Sequence, residues 1–222
     1  MEFTSGIMLA AALFWATCGA WSHAQPATPA DNAENEAVVV EDPVPPEVPA
    51  SAIAAVARLG DEVVLGRYQV AIDRMNPLWM ERAASTLGSK EELKRKIDGV
   101  AAEMVRRGIS MISFKPQGQP LVYQVMPGKR PLASGGSSLG YTKWLVLVPT
   151  STRFRIMTRV EGGPPRSVTI EKIGFQAAIS DKGANDWTFI DGAGLKVADL
   201  RGLFPTLPMD MKMPPVEERE VR

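Results

Sequence analysis

Two hydrophobic periods divide the chain near Gly108. Before it, apolar residues recur at helical spacing: Ile53, Val56, Val63, Val64 and Leu65, then Val70 and Ile72, run loosely along one face within Ser51 to Arg107. Gly60 and Gly66 fall inside this pattern and argue against one unbroken helix. Asn76-Pro77 ends the stretch and starts a short helix, "LWMERAASTLG", with Pro77 in the first turn, where its missing N–H is not needed. A third helix is predicted over "SKEELKRKIDGVAAEMVRRG", with Ser89 as cap, Glu92 as its capping-box partner and Gly108 as stop. On it Leu93, Ile97, Val100, Ala101 and Met104 form one apolar stripe, while Lys94, Arg95 and Lys96 lie on the solvated side.

After Gly108 the period changes to two. "ISMISFK", "PLVYQVM", "YTKWLVLVP", "TRFRIMTRV" and "RSVTIEKIGFQAAIS" are rich in β-branched and aromatic residues and predict strands. "PTST" and "EGGPPR" read as hairpin connections, and Pro127 to Gly140, "PGKRPLASGGSSLG", as a long loop of the kind that is mobile or functional. Helices followed by a block of strands predict an α+β domain, with N-terminal helices packed on an antiparallel sheet. "LRGLFPTLPMDMKMPP" closes the domain with a short helix and an extended strap. Leu200, Leu203, Phe204, Leu207 and Met211 are expected to pack on the sheet; an exposed Met-rich edge for a partner is the other use of such a strap.

The ends of the chain read differently. Ile7 to Trp21, "IMLAAALFWATCGAW", is short for a membrane span and matches the apolar part of an export signal, with Ser22 and Ala24 suiting a cut after Ala24. "MEFTSG" lacks the usual Lys or Arg, which leaves a retained anchor through residues 7–21 open. Acylation of Cys18 is the rival reading, though Trp15 and Thr17 fit a lipoprotein signal poorly. The expected location is periplasmic or secreted, with membrane attachment only through a retained leader or a lipidated Cys18. The expected division is 1–24 signal peptide, 25–50 disordered acidic Pro/Ala-rich linker, 51–214 folded domain and 215–222 charged tail.

Export changes the chemistry available. The chain's one Cys (Cys18) and one His (His23) both precede the expected cut, so the mature domain has neither. That excludes Cys and Ser-His nucleophilic systems, imidazole bases and metal sites built on His or thiolate; no cofactor or metal is expected. Without disulfides the fold rests on its apolar core. The chain is neutral overall, but residues 51–214 hold 15 acids against 23 bases, about +8, facing an acidic linker.

Three sets of residues are candidates for function. Tyr68, Trp79, Trp144 and Phe175 are first of all core aromatics, and would line a pocket if the sheet curves. Arg153 and Arg155 share a strand face able to hold a small anionic ligand or an acidic partner, against the plainer reading of a solvated sheet face. Nucleic acid is not expected as a partner, since no stacking motif accompanies the charge. In "GANDWTFIDGAGL", Trp187 and Phe189 are predicted on one strand face with Thr188 and Ile190 on the other. Asp186 and Asp191 then point to opposite faces, ill placed as an acid/base pair, and are read as closing a hairpin.

Taken together, "NPLWMERAASTLGSKEELKRKI", "RRGISMISFK", "ISDKGANDWTFIDG" and "LRGLFPTLPMDMKMP" resemble a group of exported, uncharacterised bacterial proteins over about residues 55 to 214. This chain has "DKGANDW" where many of that group have "DGGKNW". The resemblance implies a nuclear transport factor 2-like or cystatin-like cone, helices cradled by a curved antiparallel sheet, and supplies no catalytic residues. The function expected is a non-catalytic binding or interaction module of the cell envelope, its partner a protein or a small anionic or hydrophobic ligand. The alternatives are a pocket enzyme using carboxylate/Tyr acid-base chemistry on a small hydrophobic substrate, favoured by a deep pocket holding a carboxylate of raised pKa, and an inhibitor presenting Pro127 to Gly140 as a wedge.

Overall fold

The computed structural model describes residues 41–131, 137–158, 164 and 166–221. The expectations for the leader, Cys18, His23 and most of the linker lie outside these residues. Among the described residues no helix is long and apolar enough to cross a membrane.

Four helices come first: α1 (Glu47–Val64), α2 (Gln69–Asp73), α3 (Pro77–Leu87) and α4 (Lys90–Arg106). The strands β1 (Ser110–Pro116), β2 (Leu121–Pro131), β3 (Ser137–Thr158), β4 (Arg166–Asp181) and β5 (Thr188–Asp191) follow, then α5 (Val197–Leu203) and β6 (Glu217–Val221). The fold is α+β with one antiparallel sheet. Its helical caps follow the sequence pattern. Ser89 Oγ accepts from Glu92 N at 3.0 Å, one of the two bonds of the expected capping box, Asn76 caps α3 ahead of Pro77, and Gly108 turns out of α4 at a φ of 65° that a side chain would resist.

Three expectations are corrected. First, α1 begins at Glu47, inside the segment assigned to the linker, and runs unbroken through Gly60; the expected interruption falls at Gly66 alone, between α1 and α2. Gly60 is there for contact rather than as a break: a Cβ would penetrate the Phe114 ring of β1. Second, "PTST" is not a turn. β3 is one strand of 22 residues whose N-terminal half pairs with β2 and whose C-terminal half pairs with β1. Pro149 stands at the changeover, where Leu147 is the last partner of β2 and Thr150 the first of β1. A residue without an N–H is tolerated where one neighbour ends and the next begins. Likewise β2 extends to Pro131, so much of the expected loop is a strand arm paired with Ser137 to Tyr141. Third, the charged tail contains β6, which pairs with the first half of β4.

The sheet is therefore two four-stranded halves sharing β3 and β4: β2 and β5 flank one half, β1 and β6 the other. Both faces of the β2/β5 half are covered. Odd positions Leu145, Leu147, Phe175, Ala177 and Ile179 pack with Leu200, Phe204, Leu207 and Met211 from α5 and the strap. Even positions Trp144, Val146, Val148 and Ala178 pack with Val48, Ala52, Val56 and Leu59 of α1. This alternation sends Phe189 to the α1 face and Ile190 to the other, as the pattern of β5 predicted. Asp42, in the first described residues, is bound to the domain: its carboxylate accepts from Lys182 Nζ at 2.8 Å and its backbone exchanges hydrogen bonds with Gln124.

Candidate functional site

The α1 face is filled only over one half of the sheet. Over the half flanked by β1 and β6, the helices and sheet leave a cavity of about 130 Å³, partly open to solvent. That size is close to a space that takes a benzene-sized molecule. Its floor is the even-numbered row of β3, Thr150, Thr152, Phe154 and Ile156, beside Ile170, Lys172, Gly174 and Gln176 of β4. Leu59 and Val63 of α1, Tyr68 just ahead of α2, Ala71 of α2, and Met75 line it from the helical side. Trp79, Met104 and Met111 close the sides.

Gly174 shapes this floor. It lies inside a central strand, where glycine weakens pairing, and a Cβ placed on it would meet no atom within 4 Å. Close packing does not call for glycine here, unlike Gly192, whose Cβ would strike Phe175. The missing side chain leaves open space between Thr150, its partner on β3, and the rest of the floor. Neither Thr150 nor Thr152 has a side-chain hydrogen bond among the described residues, and no buried side-chain polar atom there lacks a partner, so both hydroxyls keep contact with open space.

Asp191 is the polar centre of the wall. The end of β5 carries it onto the cavity side, opposite Gln176 of β4. Its Oδ2 accepts from Gln176 Nε2 at 2.7 Å and its Oδ1 from the backbone amide of Ala193 at 2.6 Å. The residue as a whole is partly exposed and lines the cavity, while its carboxyl is closely surrounded by protein atoms. Desolvation pushes its pKa from 3.8 to about 6, against the pull of the Ala193 amide, the Lys172 charge and the Gln176 amide.

The sequence-predicted site residues separate into two groups. Tyr68, Trp79 and Phe175 line the cavity, Phe175 while packing mainly in the core of the other face. Trp144, Arg153 and Arg155 do not line it. Trp144 is 4% exposed beneath α1, with Lys182 Nζ 4.3 Å from its ring centroid. Arg153 and Arg155 occupy odd positions, on the sheet face away from the cavity. Arg153 Nε donates at 3.0 Å to Glu171, which also receives Ser151 Oγ and the Arg219 guanidinium. These donors, Arg219 first, hold the Glu171 carboxyl at about 2, and Glu171 already occupies Arg153 where an external anion was envisaged.

The two aspartates are separated as expected, but their roles differ. Asp186 is exposed and pairs with Arg74 at 2.5 Å, tying the segment before β5 to the end of α2. Asp191 does more than close its turn, because it also lines the cavity. The residues missed from sequence are Asp191, Gly174 and the Thr150/Thr152 pair. The signal was present: a glycine within an apolar strand and a Thr-x-Thr on the facing one. Among the described residues no group of three or more acidic, His or Cys side chains is placed to hold a metal ion. Comparison with family models, with curated proteins and with solved structures found no match.

Proposed function

We propose that this chain is a binding module of the cell envelope whose ligand site is the cavity between helices and sheet. Its ligand is small and mainly apolar, of about one ring in the enclosed part, with a polar group that meets Asp191. The observation that carries this reading is the open, aromatic-lined cavity over Gly174, a strand glycine that packing does not require. The resemblance to cone-shaped nuclear transport factor 2-like or cystatin-like domains is in keeping with a site between helices and sheet, and the export pattern with work outside the cytoplasm. The test is Gly174→Leu, which fills the cavity from its floor. Single-ring probes should raise the melting temperature of the wild type and leave that of Gly174→Leu unchanged. Equal shifts in both proteins would place binding elsewhere.

A second reading is favoured by Asp191 itself. A carboxyl with a pKa near 6 in an apolar wall, with Tyr68 among the residues lining the same cavity, suits general acid or base catalysis near neutral pH. Conversion of a bound compound in excess over protein, lost in Asp191→Asn, would move the assignment from binding module to enzyme.

A further inference from the structure

The cavity wall carries three charged side chains: Lys172, Glu218 and Asp191. Lys172 and Glu218 are direct cross-strand partners between β4 and β6, and Glu218 is exposed at the rim, so their opposite charges offset one another there. Asp191 has no such partner. Both of its oxygens accept from neutral amides, and no cation comes within ion-pairing distance among the described residues. A carboxylate set in an apolar wall with no cation in ion-pairing distance, and only the more distant Lys172 charge acting on it, is costly, and that cost falls when a cation enters beside it. The surroundings suit a cation in a second way. Tyr68, Trp79, Phe114, Phe154 and Phe189 border the space, and aromatic ring faces attract ammonium groups. An anionic ligand would meet like charge at Asp191, and a neutral one would leave that carboxylate uncompensated.

We propose that the cavity selects a small organic cation, a primary or secondary amine on an apolar body of about one ring, whose ammonium donates to Asp191. This rests on the cavity being the ligand site. The groups that act on Asp191 are Lys172 and Gln176 from β4 and the Ala193 amide from its own turn, and the remaining polar or charged lining side chains include Tyr68, just ahead of α2, and Glu218 from β6. Of these Lys172 opposes an incoming cation and Glu218 favours it.

Three probes of matched size separate the possibilities: 2-phenylethylamine, 2-phenylethanol and 3-phenylpropanoate, titrated calorimetrically into the full chain at pH 7.5 and pH 5. The amine should bind about tenfold tighter than the alcohol at pH 7.5, the size of one charge-assisted hydrogen bond over a neutral one. It should weaken by up to about tenfold at pH 5, where most of Asp191 is protonated. Asp191→Asn, checked for folding by near-ultraviolet circular dichroism, should abolish the amine's preference over the alcohol. Alcohol or carboxylate binding as tightly as the amine would overturn the cation assignment and leave the cavity as the ligand site. No binding by any probe, or equal binding by Gly174→Leu, would overturn both.

Discussion

At the scale of single residues, Asp191 and Gly60 show how context decides what a residue type does. The folded pKa of Asp191 lies above its ordinary value, so the native state holds its proton more firmly than the unfolded chain between about pH 4 and 6. Stability contributed by this group therefore falls as pH rises through that window and is flat above it. The rise from 3.8 to about 6 corresponds to at most about 3 kcal/mol. Asp191→Asn should stabilise the protein above pH 6 by about 1–3 kcal/mol and have little effect near pH 4, as read from urea melts at the two pH values. Equal effects at both would show that the carboxyl is not desolvated. Gly60→Ala should destabilise by about 1–3 kcal/mol despite the better helix propensity of alanine, because the new methyl runs into Phe114. Neither role could be read from sequence. Asp191 lies beside turn residues, where aspartate ordinarily bonds local amides, and it does bond Ala193. Which side of the sheet held empty space was set by helices more than a hundred residues away in the chain.

At the scale of elements, local signals were legible and partner choice was not. The caps at Asn76 and Ser89, the stop at Gly108 and the alternation of β5 all depend on neighbours within a few residues, and all appear as the pattern predicts. β3 was misread because Pro149 looks like a turn former, whereas a strand that changes partner midway can hold a proline at the changeover. β6 was read as a tail because "EERE" carries no apolar period. It is held instead by backbone pairing and by Arg219, which donates to Glu171 at 2.6 and 2.9 Å. Glu171 is 4% exposed, covered by those surface guanidiniums. Its pKa is lowered from 4.5 to about 2, so the stability it contributes is present above pH 4.5 and is lost as pH falls towards 2, the opposite sign to Asp191. Arg219→Ala should speed hydrogen exchange across β6 and its partners Thr169 to Ile173, without reaching α1. Unchanged exchange there would mean that backbone pairing alone holds the strand.

At the scale of the whole molecule, one sheet serves two purposes. One half is packed shut on both faces, by α1 on one side and α5 with the strap on the other, and gives the domain its core. The other half shares β3 and β4 but keeps open space above Gly174. Trp79 and Trp144 report on these two environments: Trp79 borders the cavity, whereas Trp144, with Trp187, lies in the packed core. The α+β class followed from the order of periodicities along the chain. The division of labour between the halves depends on how closely the helices approach the sheet around Gly174, which no local pattern encodes. The most direct measurement is the NMR spectrum of the tryptophan indole N–H groups during titration with a single-ring probe, assigned by Trp→Phe substitutions. The cavity account predicts that the Trp79 resonance moves while those of Trp144 and Trp187 stay in place. An unmoved Trp79 at saturating probe, or equal movement of all three, would contradict it.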